Sequence, residues 1–357
     1  MRIVITGASG NVGTALLHTL TAAGGHELVG IVRRPPPPEG VYQHVDWQSL
    51  DLAALTATAE LERLFEGAGA VVHLAWGFQP THNIDYLRQL ALGGTKAVLD
   101  AAHHCGVGQL VHMSSVGTYA AGRYCHRVDE SWSTAGIPTS PYSRHKSAAE
   151  AMLDRYERQH GDNAVPIARA RPGFIVQRAA ASGLMRYSLP AYVPMRLVPL
   201  LPLLPLDHSL CIPLIHADDV ADGLARMIER RAVGPFNLAA EPPVNRDDVA
   251  HALHARAVHL PSSALGRLVD LSWRLRLQPV DRGWLDMAFS VPLLDCTRAR
   301  TELQWKPTWS STEALADVLD GIAARAHTDS APLRRRSAVD LLRRSISDGL
   351  ISSRREP

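Results

Sequence analysis

Met1-Arg-Ile-Val-Ile-Thr-Gly-Ala-Ser-Gly-Asn-Val-Gly13 is the stretch that decides the fold of this 357-residue chain. Its β-branched start predicts a buried strand, and the apolar positions after it recur at helical spacing. The glycines between them suit a sharp turn, a backbone that approaches a pyrophosphate, and close helix packing. A helix amino terminus beside that turn favours negative charge. The stretch therefore predicts a phosphate-binding turn, formed by Gly7, Ser9, Gly10, Asn11, Val12 and Gly13.

Strand and helix patterns alternate beyond this turn, which is typical of an α/β fold with a doubly wound parallel sheet. The predicted strands are Ile3–Ile5, Leu28–Val32, Ala70–Leu74, Gln109–Met113, Ile167–Arg171, Ile212–Ile215 and Phe236–Leu238. The predicted helices are Val12–Thr21, Tyr86–His103, Tyr142–Gln159 and a helix from about residue 218 to 230.

The composition is that of a globular protein, with 46% hydrophobic and 20% charged residues. A net charge of +2 gives no reason to expect nucleic acid or an anionic membrane as a partner. The apolar run from Leu189 to Leu206 contains five prolines, which argue against a membrane-spanning helix. Strand-like sequence from residue 2 and four cysteines without a CxxC pair predict a cytoplasmic protein with reduced thiols. We expect no metal site, although His251 and His254 are three residues apart.

Tyr142 and Lys146 are four residues apart in a predicted helix, so their side chains share one face. A phenol with a pKa of about 10 is a poor acid or base near neutral pH, and an adjacent ammonium favours its ionised form. Upstream, Ser114 and Ser115 follow a predicted strand, and we expect the Ser115 hydroxyl to bind a substrate oxygen.

The glycine turn, the serine pair and the Tyr-x-x-x-Lys helix, in this order, resemble the extended short-chain dehydrogenase/reductase family over about residues 1–240. His73-Leu-Ala75, Arg171-Pro-Gly173 and Ile215-His-Ala-Asp-Asp-Val-Ala221 strengthen the resemblance. It implies a Rossmann-type fold and hydride transfer to or from a nicotinamide cofactor. It also implies that Ser115 polarises the substrate oxygen, that Tyr142 is the acid or base, and that Lys146 holds the nicotinamide ribose and lowers the tyrosine pKa. Further cofactor contacts are expected from Leu74, Ala75 and Pro172.

The residues after the second predicted strand indicate which dinucleotide binds. NAD-selective folds usually place a carboxylate there, to bind the ribose 2′-hydroxyl. This chain instead has Arg33 and Arg34, and a guanidinium suits a 2′-phosphate. The sequence therefore predicts NADP(H) in preference to NAD(H). Asp46, before Trp47, resembles the family's adenine-contacting acid.

Three departures from the family's sequence pattern bear on which reaction we expect. Phe174 occupies the position at which sugar-nucleotide members often have asparagine, and Val116-Gly117 replaces the Asp-Glu of dehydratases. Ala91 also replaces a customary asparagine, which removes one supporting backbone contact. These residues favour a simple interconversion of a small carbonyl and a secondary alcohol. An NAD(P)-dependent epimerase of a sugar or nucleotide sugar, and a non-catalytic regulator that senses NADP, remain as alternatives.

The domain organisation follows from where the pattern is regular. A dinucleotide-binding Rossmann domain is expected from residues 1–176 plus 212–238. A smaller, C-terminal substrate-binding lobe is expected from residues 177–211 plus 239–327. The proline-rich apolar segment, Trp76, Phe78 and Phe174 suggest a partly apolar pocket. Residues 328–357 form an arginine-rich tail that is expected to be disordered, unless Val339 to Ile346 form one amphipathic helix. A homodimer is compatible with the sequence.

Overall fold

The computed structural model describes residues 1–77, 84–188, 202–275, 277–278 and 280–335. Three predicted features lie outside these residues: Phe78, most of the proline-rich run, and the helix expected in the tail.

The secondary structure of the described residues alternates as predicted over the first half of the chain. The strands are β1 (Arg2–Thr6), β2 (Glu27–Val32), β3 (Asp46–Ser49), β4 (Ala70–His73), β5 (Leu110–Met113), β6 (Arg127–Val128), β7 (Ile167–Pro172), β8 (Phe174–Val176), β9 (Leu203–Leu206), β10 (Cys211–Ile212), β11 (Leu214–His216), β12 (Gly234–Leu238), β13 (Val244–Asn245), β14 (Arg256–His259) and β15 (Leu293–Leu294). The helices are α1 (Asn11–Ala23), α2 (Ala57–Phe65), α3 (Ile84–Arg88), α4 (Gly94–His104), α5 (Pro141–His160), α6 (Ala181–Ser188), α7 (Ala217–Glu229), α8 (Arg246–Ala252), α9 (Ser262–Arg274), α10 (Arg282–Ser290), α11 (Thr297–Glu302) and α12 (Ser311–Ala324).

A seven-stranded sheet forms the centre of the molecule, in the order β3-β2-β1-β4-β5-β7-β12. Every neighbouring pair in it is parallel. Helices α1 and α7 pack on one face, where Leu16 and Leu224 are fully buried. Helices α2, α4 and α5 pack on the other face, where Leu61 and Leu153 are fully buried. The predicted doubly wound α/β fold is therefore confirmed.

One strand of this sheet was not predicted. Strand β3 reads Asp-Trp-Gln-Ser, and none of its four residues is fully buried. It lies at the edge of the sheet and pairs only with β2 among the described strands. This edge strand has neither a continuous apolar run nor a strict alternation of apolar and polar residues. The two hydrophobic patterns that predict strands therefore do not identify it.

The helix predicted from Tyr86 to His103 is present but interrupted. A single π-helical turn, Gln89–Gly93, joins α3 to α4. Thr95 Oγ1 donates a hydrogen bond of 2.6 Å to the carbonyl of Ala91 within this turn. Such bulges are frequent at functional sites, and this one faces the carboxyl edge of the sheet through Thr95.

Two short strands, β8 and β11, pair with each other at the points where the chain leaves and returns to the region of the central sheet. Strand β11 pairs in parallel with β8, and the N–H of Phe174 donates to the carbonyl of Pro213 at 2.8 Å. The segment predicted as one strand, Ile212–Ile215, is thus divided between β10 and β11, outside the central sheet. Strand β10 pairs with β13, and β9 pairs with β14. Within the described ranges, the structure contains no helix of the length and apolarity needed to cross a membrane.

Candidate active site

The glycine turn between β1 and α1 is held tightly against the end of β4. Gly7 has a φ of +72°, and a Cβ atom there would lie 2.7 Å from the backbone nitrogen of Ala75. A Cβ on Gly13 would lie 2.5 Å from the carbonyl oxygens of Gly7 and Ala8. Both positions therefore require glycine. Because these glycines have no side chains, the backbone of the turn is uncovered at the amino terminus of α1. This arrangement fits a pyrophosphate.

The other residues predicted for the turn lie in it or begin the helix. Ser9 and Val12 are buried. Asn11 is the first residue of α1, and Gln177 Nε2 donates to its side-chain oxygen at 2.6 Å and to its carbonyl at 2.8 Å. Gln177 thus ties the chain after β8 to the glycine turn. No pattern in the sequence singles out this residue.

Arg33 and Arg34 follow the carboxyl end of β2. Arg33 is half-buried, and its Nη1 donates to the hydroxyl of Tyr86, while Arg34 is exposed. Tyr86 therefore orients one guanidinium beside the edge at which parallel sheets bind nucleotides.

The adenine contact of Asp46 stays a prediction, and the strand register gives the position of this residue. Asp46 begins β3 and pairs with Val29, whereas Ser49 pairs with Val32 at the carboxyl end. Trp47 also lies under the sheet, with ring atoms 2.6 Å from where a Cβ of Gly30 would be. Asp51 is the carboxylate that follows the carboxyl end of β3, and its Oδ1 accepts from the N–H of Ala53 at 3.0 Å. Asp51 is therefore a second candidate for the adenine contact.

Helix α5 and the turn after β5 bring the predicted catalytic side chains together. Ser140 caps α5 by accepting from the N–H of Ser143. Ser143 Oγ donates to the carbonyl of Gly117 at 2.5 Å, which fixes the helix on the turn that follows Ser115. Ser115 Oγ accepts from the N–H of Gly117 at 3.0 Å and forms a side-chain hydrogen bond with Tyr142.

Lys146 lies one helical turn beyond Tyr142 and is 2% exposed. Its Nζ donates to the carbonyl of Met113 at 2.6 Å and lies 3.5 Å from the centroid of a Trp76 ring. The same atom is 5.9 Å from the centroid of the Tyr142 ring. Burial lowers the pKa of Lys146 well below its usual value, and the nearby Glu150 carboxylate opposes that shift.

The pKa of Tyr142 shifts in the opposite direction to the one expected. Burial raises it to about 12, and the hydrogen bond from Ser115 offsets only part of this effect. The phenol packs between Trp76, at 6.4 Å between ring centroids, and Trp284, at 5.2 Å. The two indoles shield part of the ring from water, which disfavours the phenolate. The phenol is therefore protonated at neutral pH, in the form that can donate a proton.

A network of buried charged side chains connects α5 to strand β7. Glu150, fully buried one turn after Lys146, accepts from Ser114 Oγ at 2.5 Å and from Arg169 Nη1 at 3.0 Å. Arg171 donates to both Glu150 oxygens at 2.9 Å. Burial alone would raise the pKa of Glu150, but these arginines and the Ser114 hydroxyl lower it to about 2. This network was not predicted, although two arginines in a buried strand were a usable signal.

His73 ends β4 and joins three elements at the carboxyl edge. Its Nδ1 lies 2.7 Å from Thr6 Oγ1, and its Nε2 lies 3.2 Å from Thr95 Oγ1. Burial, together with the charge of Lys146, lowers the pKa of His73 to about 3, so the ring is neutral. The predicted cofactor contacts Leu74 and Ala75 follow directly and are half-buried, and Pro172 ends β7 at the same edge of the sheet.

Three potential metal ligands converge elsewhere in the described residues. Donor atoms of Asp207, His208 and His259 all lie within 4.8 Å of one another. The Asp207 carboxylate already accepts from the N–H groups of Ser209, at 3.0 Å, and Ser262, at 2.6 Å. These hydrogen bonds give the Asp207 carboxylate a structural role in the turn before α9. The absence of a metal site stays a prediction.

Comparison with known proteins relates this fold and turn to one family. Residues 3–174 match the family model described as the NAD dependent epimerase/dehydratase family. The chain is 25% identical over 352 residues to dTDP-glucose 4,6-dehydratase of Streptomyces antibioticus, covering 90% of this chain and 92% of that protein. Among solved structures, UDP-glucuronic acid 4-epimerase of Bacillus cereus, in complex with UDP-glucuronic acid and NAD, is 20% identical with a TM-score of 0.66. That likeness covers 91% of this chain and 99% of the epimerase.

An uncharacterized protein of Mycobacterium tuberculosis is 27% identical over 350 residues, which is 96% of this chain. The matched region is 33% of that protein, so this chain spans about a third of the length of such relatives.

Proposed function

We propose that the protein is an NADP(H)-dependent oxidoreductase, a proposal supported by the match of residues 3–174 to the NAD dependent epimerase/dehydratase family. It interconverts a small-molecule carbonyl and a secondary alcohol. The observation that carries the proposal is the hydrogen-bonded pair of Ser115 and Tyr142, with Lys146 one turn away. This group lies at the carboxyl ends of the strands, on the side where the glycine turn meets β4.

A bound nicotinamide dinucleotide supplies or accepts the hydride in this chemistry. In the reducing direction, Tyr142 donates its phenolic proton to the carbonyl oxygen. In the oxidising direction, its phenolate removes the hydroxyl proton from the alcohol. Ser115 Oγ accepts the Gly117 N–H. Its one hydroxyl proton, which otherwise pairs with Tyr142, can be directed to the substrate oxygen. Lys146 uses one N–H for Met113 and has two left for the nicotinamide ribose.

The raised pKa of Tyr142 sets the pH dependence that we expect. A phenol with a pKa of about 12 is protonated at neutral pH. Carbonyl reduction should therefore proceed at neutral pH, while alcohol oxidation should accelerate as the pH rises toward the pKa. Initial rates in the two directions, measured from about pH 6 to about pH 10, test this expectation.

The central test replaces Tyr142 with phenylalanine. Loss of the acid and base should lower turnover by about 10²–10⁴-fold. NADPH binding, followed by fluorescence titration, should change little because the glycine turn is untouched. Tyr156→Phe is a matched control on the same helix: it removes a tyrosine hydroxyl that contacts His103 and the N–H of Val165, about four helical turns from Tyr142. A Tyr142→Phe variant with normal turnover would refute the assigned role.

The preference for NADP(H) rests on Arg33 and Arg34. The hydrogen bond from Arg33 to Tyr86 orients one guanidinium, and no carboxylate intervenes between β2 and Arg34. Arg33→Ala should weaken NADPH binding by roughly 10-fold or more, the loss of one charge-assisted contact, with a small effect on NADH. Equal losses for both dinucleotides, or none, would contradict the preference.

A second candidate function is epimerisation of a sugar or nucleotide sugar. It is favoured by the fold shared with UDP-glucuronic acid 4-epimerase. Phe174 and Val116-Gly117 weigh against it, and against a dehydratase. An epimerase purifies with bound cofactor and consumes none, whereas a reductase consumes NADPH in proportion to product. A regulator that only senses NADP would show neither, and the hydrogen bond between Ser115 and Tyr142 disfavours it.

A further inference from the structure

We propose that Cys125 and Cys211 form a site of reversible thiol oxidation, at which a peroxide produces an intramolecular disulfide beside the candidate active site. This inference goes beyond the proposed reaction and does not depend on it.

The two thiols are already in contact. Their sulfur atoms are 3.1 Å apart, although 86 positions separate the residues in the chain. A disulfide requires about 2.05 Å, so the sulfur atoms must approach by roughly 1 Å. Cys125 is exposed in the loop before β6, where a side-chain torsion or a small loop shift can supply that movement. Both cysteines are free thiols in the structure.

The surroundings give the two thiols different roles. Cys125 is exposed and accessible to a small oxidant, whereas Cys211 is half-buried in β10. Burial, and hydrogen bonding with Cys125, raise the pKa of Cys211 to about 12, while the charge of Arg127 opposes the rise. Cys125 is therefore the thiol that reacts first, and Cys211 is the one that resolves the product.

The reaction balances with a peroxide as oxidant. The Cys125 sulfur forms a bond to one peroxide oxygen, the O–O bond breaks, and one water leaves, which gives a sulfenic acid. The Cys211 sulfur then attacks the Cys125 sulfur, the S–O bond breaks, and a second water leaves. In sum, two thiols lose two hydrogen atoms and the peroxide becomes two waters. A small dithiol restores both thiols.

The disulfide would fasten segments that border Tyr142. In the loop of Cys125, the N–H of Gly122 donates to the carbonyl of Ser290, the last residue of α10, at 2.8 Å. Strand β10, which carries Cys211, packs against the same helix. Helix α10 supplies Trp284, whose ring lies 5.2 Å from that of Tyr142. Oxidation should therefore restrain the helix that covers the phenol.

The test treats the whole protein with hydrogen peroxide and maps its peptides without reduction. We expect a peptide pair joined through Cys125 and Cys211, which dithiothreitol separates. Cys125→Ser and Cys211→Ser should each abolish it. Cys105→Ser is the matched control and should retain it, because Cys105 is remote and its thiol donates to the carbonyl of Glu62. A sulfinic acid on Cys125 with Cys211 free, or cross-linked dimers, would overturn the proposal.

Two further measurements do not need a substrate. The oxidised protein should melt at least about 2 °C above the reduced protein, because closing so long a loop restricts the unfolded chain. Hydrogen exchange in residues 282–290 should be slower after oxidation. Unchanged exchange in that peptide, with the disulfide formed, would refute the coupling to the active site.

Discussion

Gly7 illustrates how much of the site depends on the absence of a side chain. Its positive φ and its close approach to Ala75 are separate constraints. Both follow from the glycine pattern between a strand and a helix, so the sequence alone predicted this turn. Local spacing could not assign the adenine-side carboxylate in the same way, because the choice between Asp46 and Asp51 depends on how β3 aligns with β2.

A pair of glycine substitutions separates these two constraints. Gly25 has the same φ of +72° as Gly7, but a Cβ there would meet no atom within 4 Å. Gly25→Ala should therefore cost about 1–2 kcal/mol in unfolding free energy, from backbone strain alone. Gly7→Ala should cost more and should weaken NADPH binding by at least about 10-fold, since the turn must move away from β4. Denaturant unfolding and NADPH titration measure both effects, and equal behaviour of the two variants would show that contact with β4 adds nothing to the strain.

At the scale of elements, the buried charges under α5 show what a periodic pattern cannot reveal. The predicted helix and the predicted strand β7 are both present. The pattern could not show that Glu150 and Arg171 meet, because that contact depends on how the helix packs on the sheet. The strand β8 and the π-helical turn were missed for a similar reason: β8 is defined by its partner β11, and the turn by backbone hydrogen bonds.

Glu150→Gln should lower the unfolding free energy by about 3 kcal/mol or more, because a buried Arg171 guanidinium loses its charge partner. The control is Glu157→Gln on the same helix. Glu157 also pairs with Arg169, but its side chain is 38% exposed, so its loss should cost about 1 kcal/mol or less. Chemical denaturation of both variants tests the difference. A Glu150→Gln variant no less stable than Glu157→Gln would show that the network is not needed for stability.

At the scale of the whole molecule, the buried His73 makes the stability of the folded protein depend on pH. The pKa of His73 is about 3 in the folded protein and 6.5 as its ordinary value. Between these values the unfolded chain binds a proton that the folded protein does not, so stability rises with pH. The contribution is complete above about pH 6.5 and is lost as the pH falls toward 3.

Between about pH 7 and about pH 5 this single group should reduce the unfolding free energy by about 2 kcal/mol. His73→Gln cannot titrate, so its stability should fall less over that interval than that of the original protein. A matched substitution of the exposed His44 should leave the pH dependence unchanged. Urea unfolding at the two pH values is the measurement, and parallel losses in the original protein and His73→Gln would disprove the linkage.

The pairing of β8 with β11 has a consequence for how this scaffold can diversify. The chain leaves β8 after residue 176 and re-enters at residue 214, which pairs with Phe174. Between these points, β9 pairs with β14 and β10 pairs with β13. None of these strands belongs to the seven-stranded sheet, so we expect a change in the length of the stretch between β8 and β11 to leave the strand order of that sheet unaltered.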